Sequence, residues 1–168
     1  MSDLTELKKP LLIAALLAAG ACAIPAARAT EAPADPCALL QAAQVSTIVG
    51  QPYGAPEKSV APRPYMNTVQ GTDCTFAARG SGASLLFRVY FDPTPAAATD
   101  LFSRLGFFYR PQTPVAGVGD EAYLDGVHGL HVRKGNVRYY LSFSHASGSG
   151  AAVDKQLRDM ASAIAGKL

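Results

Sequence analysis

Apolar residues change their spacing several times along this chain, and each change marks an element. Leu11 to Ile24 is an apolar run interrupted only by small residues, preceded by Lys8 and Lys9 and followed by Ala27-Arg28-Ala29. A basic end, an apolar stretch and a small-x-small pattern are the parts of an export signal, so residues 1–29 are expected to be removed. As a helix this run of about 14 residues would span only ~21 Å, short of the ~30 Å hydrocarbon core, which argues against a membrane span. Thr30 to Ala34 then reads as a short mobile leader, and 35–168 as a single domain.

Asp35 and Pro36 suit the N-cap and first position of a helix running towards Val49, with a break near Gln41 and a stop at Gly50. Residues 51–71 hold four prolines, two glycines and little periodicity. They predict a long connection, with a short strand near Tyr53; connections of that length tend to be functional or disordered. Asp73–Arg79 and Ser84–Asp92 read as strands, the second alternating Leu85, Phe87, Val89 and Phe91 against Leu86, Arg88 and Tyr90. Thr94-Pro95 opens a helix that places Ala98, Leu101, Phe102, Leu105 and Phe108 on one face. Three more strands follow over Asp120–Asp125, Leu130–Lys134 and Val137–His145, the last two joined by Gly135-Asn136. Val153, Leu157, Met160, Ile164 and Leu168 mark a closing helix from about Ala151. The order predicts an α+β fold: an antiparallel sheet of about five strands with helices packed on one face.

Composition narrows the function classes. The chain is 49% hydrophobic and 17% charged, a globular balance. Beyond residue 29 there are twelve Lys and Arg against eleven Asp and Glu, so bulk charge does not suggest nucleic acid as a partner. No phosphate-binding loop, dinucleotide fingerprint, zinc-ligand spacing or nucleophile elbow occurs, and no cofactor is expected.

The cysteines carry the compartment argument. Ala19-Gly20-Ala21-Cys22 resembles a bacterial lipobox, although Ala19 stands where a large aliphatic residue is usual. Acylation at Cys22 is therefore the alternative to ordinary cleavage after Ala29, and is the one route to membrane attachment. Either route leaves Cys37 and Cys74. In an oxidising compartment a disulfide is the first expectation and two separate buried thiols the second; closing this loop would stabilise by roughly 4 kcal/mol.

Candidate chemistry is sparse. His128 and His131 fall on a strand or hairpin, where a spacing of three sends side chains to opposite faces, so no metal site is expected. Ser142, Ser144 and His145 lie at one strand end without a partnered base, and Asp120-Glu121 point apart as strand neighbours; a small hydrolase is the most remote reading. The second face of the sheet is more informative. If the alternating apolar positions face the helices, Arg88, Tyr90, His131, Arg133, Arg138 and Tyr140 collect on the other side. Forked cationic donors beside aromatic rings suit a small anionic or aromatic ligand, or an envelope protein partner. The competing expectation is an open sheet showing amphipathic side chains to water.

Asp35-Pro36-Cys37-Ala38-Leu39-Leu40, the Gly50 stop, Cys74 opening a strand and Val118-Gly119-Asp120-Glu121-Ala122-Tyr123 resemble a group of small exported domains and lipoproteins common in actinobacteria, some of unknown function. The resemblance spans most of 35–168. It implies a bridge between the two cysteines, an envelope location and an α+β fold, and it implies no activity or catalytic residue. The combined expectation is a non-enzymatic binding or sensing module of the bacterial envelope, with a structural or accessory envelope protein as the alternative.

Overall fold

The computed structural model describes residues 29–63, 69–109, 112–127, 129–145 and 150–168; the export segment with Cys22, and His128, lie outside the described residues. Among the described residues the fold is α+β, with three α-helices and one antiparallel sheet of seven strands rather than about five. The strands are β1 (Glu57–Val60), β2 (Thr72–Ala77), β3 (Ser84–Phe91), β4 (Thr113–Pro114), β5 (Glu121–Leu124), β6 (Gly129–Lys134) and β7 (Val137–Ser144). Their order across the sheet is β1-β2-β3-β7-β6-β5-β4. The two strands that periodicity did not reveal are the edges. β1 has four exposed residues and β4 has two, so neither carries an apolar alternation. Tyr53 contributes only an isolated bridge to Ala78.

The helices are α1 (Ala42–Val49), α2 (Pro95–Phe108) and α3 (Gly150–Ala165). The first expected helix is split at Gln41: a 3-10 turn over Pro36–Leu39, capped by Asp35, precedes α1, and Gly50 ends α1 in left-handed backbone. Thr94 caps α2 by accepting from the Ala97 amide at 3.1 Å, which satisfies one of the four amides left open at a helix start.

The main core lies between one sheet face and α1 with α3. Leu85, Phe87, Val89, Leu130, Val132, Tyr139 and Leu141 meet Val153, Leu157, Met160, Ala161 and Ile164. Tyr139 donates its hydroxyl to the Ala161 carbonyl at 2.7 Å, fixing α3 along the sheet. The expectation that all helices share this face is overturned by α2. Phe102 packs on Tyr123 and Tyr109 on His131, and both partners project from the opposite side of β5 and β6. The sheet is therefore a central layer with α1 and α3 on one side and α2 on the other. Phe108, grouped by periodicity with the buried side of α2, is exposed, and Gly106 takes the buried position in the last turn.

Cys37 and Cys74 form a disulfide that joins the 3-10 turn to β2. Substituting both cysteines by alanine should cost roughly 4 kcal/mol of stability, because the unfolded chain regains the freedom of a long loop. Urea unfolding of the oxidised protein and the double variant measures this directly. A loss below about 1 kcal/mol would mean that the bridge adds little to the packing around it.

Candidate functional site

The alternation read from the sequence places all six expected residues on one face, and the strand register orders them. Asp73, Arg88, Tyr140, His131 and Tyr123 stand side by side across β2, β3, β7, β6 and β5. The neighbouring row holds Tyr90, Arg138, Arg133 and Glu121. This face is a second, polar and aromatic layer. Tyr90, His131 and Arg138 are buried, and Arg88, Arg133 and Tyr140 are half-buried.

Each arginine has carboxylate partners from the chain itself. Arg88 forms a fork on Asp73, with Nε and Nη2 at 2.7 and 2.8 Å from its two oxygens, and that bond raises the arginine's pKa despite partial burial. Arg138, 2% exposed, forks onto the buried Asp92 at 2.5 and 3.0 Å and lies 5.0 Å over the Tyr90 ring. Arg133 donates to Glu121 and to Asp120, each at 3.0 Å. Anion recognition by these groups would have to compete with bonds already made.

Asp120 explains the Val118-Gly119-Asp120-Glu121 stretch. Its Oδ2 accepts from the Gly135 amide at 2.7 Å as well as from Arg133, so it organises the β6–β7 hairpin. Burial opposes ionisation of Asp120, but the Gly135 amide and the Lys134 and Arg133 charges outweigh it and lower its pKa. Gly119 has a φ of +62°, and a Cβ there would collide with the Arg133 carbonyl, so the approach is open to glycine alone. The Asp120-Glu121 acid/base pair considered from the sequence is thus two carboxylates held by one guanidinium. Ser144, another hydrolase candidate, pairs its hydroxyl with Ser84 at 2.6 Å.

His131 sits in a cage of rings. Tyr140, Tyr109 and Tyr123 lie at centroid distances of 4.5, 4.6 and 4.7 Å, the last nearly parallel. Its Nε2 is 3.3 Å from Asp125 Oδ2, while Asp125 Oδ1 accepts from the amides of Val127 and Gly129 at 3.0 and 2.9 Å. Burial works against the Asp125 charge; His131 and the two amides more than offset it and hold its pKa below the ordinary value. A Cβ on Gly129 would strike both the Asp125 carboxylate and the Tyr140 ring, so glycine permits this close approach. Burial raises the pKa of Tyr140 and of Tyr123.

Beside this cage, between α2 and the β4–β5 edge, lies a cleft of about 360 Å³ lined by Phe102, Ser103, Phe107, Gln112, Glu121 and Tyr123 among others. Tyr123 is buried, yet its hydroxyl has no partner meeting hydrogen-bond geometry among the described residues. Gln112 is close enough to temper the rise of its pKa, but its amide turns to the Gly106 carbonyl. Sequence reasoning missed Asp92, Tyr109, Tyr123 and Asp125. Alternation in Asp120–Asp125 was the signal that could have found Tyr123, whereas Asp92 and Asp125 follow the last residues of their observed strands and Tyr109 follows α2.

Among the described residues no group of three His, Cys, Asp or Glu is placed to hold a metal, and no helix is long and apolar enough to cross a membrane. No protein-family model and no curated protein matches the chain.

Arg138→Ala should destabilise by about 3–5 kcal/mol, since it strands the buried Asp92 charge, whereas Arg88→Ala, at a partly hydrated pair, should cost about 1 kcal/mol. Urea unfolding of the two variants tests the difference, and equal losses would contradict the assigned burial. Because Asp125 binds its proton less readily folded than unfolded, its contribution is present above an unfolded pKa of about 3.9 and is lost as pH falls through the lower folded value. An acid titration should therefore show a stability loss below about pH 4 that Asp125→Asn reduces; an unchanged titration in that variant would count against the Asp125 assignment.

Proposed function

We propose that the protein is an exported domain of the bacterial envelope that binds a small ligand, without catalysis, in the cleft between α2 and the β4–β5 edge. The observation that carries this reading is the buried Tyr123 hydroxyl, which has no partner meeting hydrogen-bond geometry among the described residues and whose residue lines that cleft. A buried hydroxyl without a partner costs about 1–3 kcal/mol, a penalty that a ligand acceptor would remove. The volume is at the low end for small-molecule sites, and aromatic walls with a few convergent polar groups are their usual lining. Phe102 and Phe107 offer ring surface, while Ser103 and Gln112 offer polar contacts. An aromatic or amphipathic ligand carrying an oxygen acceptor fits this chemistry better than a free anion, because the nearby arginines already hold carboxylates. The disulfide and the resemblance to exported actinobacterial domains support the export half of the reading.

One observation favours a second reading, a structural or accessory envelope protein. Arg88, Arg133 and Arg138 are all paired within the sheet, as they would be if the face served stability alone.

Native and denatured intact masses of protein purified from its own envelope separate the two. The binding reading expects a native mass above the denatured one, and loss of the difference in Ser103→Phe, which fills the cleft from an exposed helix position. Tyr123→Phe should raise stability by about 1 kcal/mol while weakening ligand retention. Equal native and denatured masses would instead favour the structural reading.

A further inference from the structure

Removal of the export segment after Ala29 would make Thr30 the first residue, and among the described residues Thr30 is also the first held by a side chain of the domain. Its backbone nitrogen donates to Asn136 Oδ1 at 2.6 Å, and Asn136 Nδ2 donates to the Thr30 carbonyl at 2.9 Å. Asn136 is 2% exposed. Its Nδ2 also donates to the Asp92 carbonyl at 2.8 Å, and its own carbonyl accepts from the Asp92 amide at 2.8 Å. The carboxamide is therefore fixed by residue 92 and aimed at residue 30. Between this grip and the disulfide-bonded turn, Glu31 to Asp35 are exposed. A buried side chain holds a residue that four exposed positions, Glu31 to Ala34, separate from the Asp35 cap of the 3-10 turn.

We propose that Asn136 is the docking site for a new α-ammonium group at Thr30, so that processing strengthens the grip on this end of the sheet. The proposal rests on the export reading above. A leader-removing endopeptidase hydrolyses the Ala29–Thr30 peptide bond. The oxygen of the attacking water goes to the Ala29 carboxylate, and both its hydrogens go to the Thr30 nitrogen, which becomes an ammonium. That ammonium donates to Asn136 Oδ1. A charged donor makes a bond roughly twice as strong as the neutral amide of the uncleaved chain. Thr30 is half-buried, so its remaining N–H groups can reach water. The docked terminus braces Asn136 against Asp92, whose side chain holds Arg138. A chain acylated at Cys22 would keep residues 22–29 and offer only the amide.

The test uses a chain that begins at Thr30 with a free amine, treated with an amine-acylating reagent and read by peptide mass. The folded chain should label at its α-amine at least ~10-fold more slowly than the urea-unfolded chain, as expected of a group freed only by local opening. Asn136→Ala should restore fast labelling. Because that variant also loses the Asp92 bond and could unfold, a second comparison leaves Asn136 intact. Nα-acetylation of the Thr30 chain should lower the melting temperature by roughly 2–4 °C near pH 6. The deficit should shrink as pH rises through the raised pKa of the docked ammonium, which lies above the ordinary α-amine value of about 8. Equal labelling rates in folded and unfolded chains, or equal melting temperatures at the lower pH, would overturn the docking site. The N-terminal mass of the full-length chain expressed in an exporting host tests the processing step. A start at Thr30 supports it. A start at acylated Cys22 overturns it and leaves export standing, whereas an unprocessed chain overturns export itself.

Discussion

A guanidinium and a carboxylate, both shielded from water, hold together one end of this sheet. Arg138 is on β7 and Asp92 follows β3, and their forked bond closes just before Thr94 caps α2. Burying two charges carries a desolvation penalty of several kcal/mol per ion, which only good geometry and further hydrogen bonds offset. Here the geometry is forked, the Tyr90 ring covers the guanidinium, and Asn136 bonds the Asp92 main chain on both sides. The direction in which α2 leaves the sheet depends on that pair. So do the strand end at Asn136 and the position of Thr30.

Once α2 is launched onto this side, the sheet has two unlike interiors. The α1–α3 side is apolar and closed by dispersion and water exclusion, with Tyr139 supplying one hydrogen bond across the layer. The α2 side is built from polar contacts and rings: the Asp73–Arg88 ion pair, the Asp125–His131 hydrogen bond, and the tyrosines around His131. Polar groups in such a layer must be satisfied nearly everywhere, because a buried orphan is costly at low dielectric. Among the described residues Tyr123 is the exception, and it lines the cleft. Phe107 and Phe108 lie at the C-terminal end of the covering helix, 68% and 69% exposed, so this side is closed less completely than the other.

Much of this was legible in the chain before folding. The alternation in Ser84–Asp92 and Val137–His145 put Arg88, Tyr90, Arg138 and Tyr140 on one face, as the strand register has them, because strand geometry fixes a period of two whatever the neighbours are. The Gly50 stop, the Thr94-Pro95 start and the α3 stripe were equally local. The edge strands were not legible: β1 and β4 are short and exposed, and hydrogen bonding to β2 and β5, not apolar spacing, makes them strands. Periodicity also erred at Phe108, because it gives the apolar face of a helix without stating which turns the sheet reaches.

The sequence by itself determined the α+β class, six residues of the polar face and the cysteine pair, since these follow from local period, turn chemistry and residue count. Only the tertiary structure decided what that face is. Which strands are neighbours sets which charges meet, and the side on which α2 crosses sets which residues are hidden from water. Arg88, Arg133 and Arg138 read in isolation as free donors for an anion. Register and long-range packing brought Asp73, Asp120, Glu121 and Asp92 to them, and no local pattern encodes contacts between residues 12 to 46 positions apart.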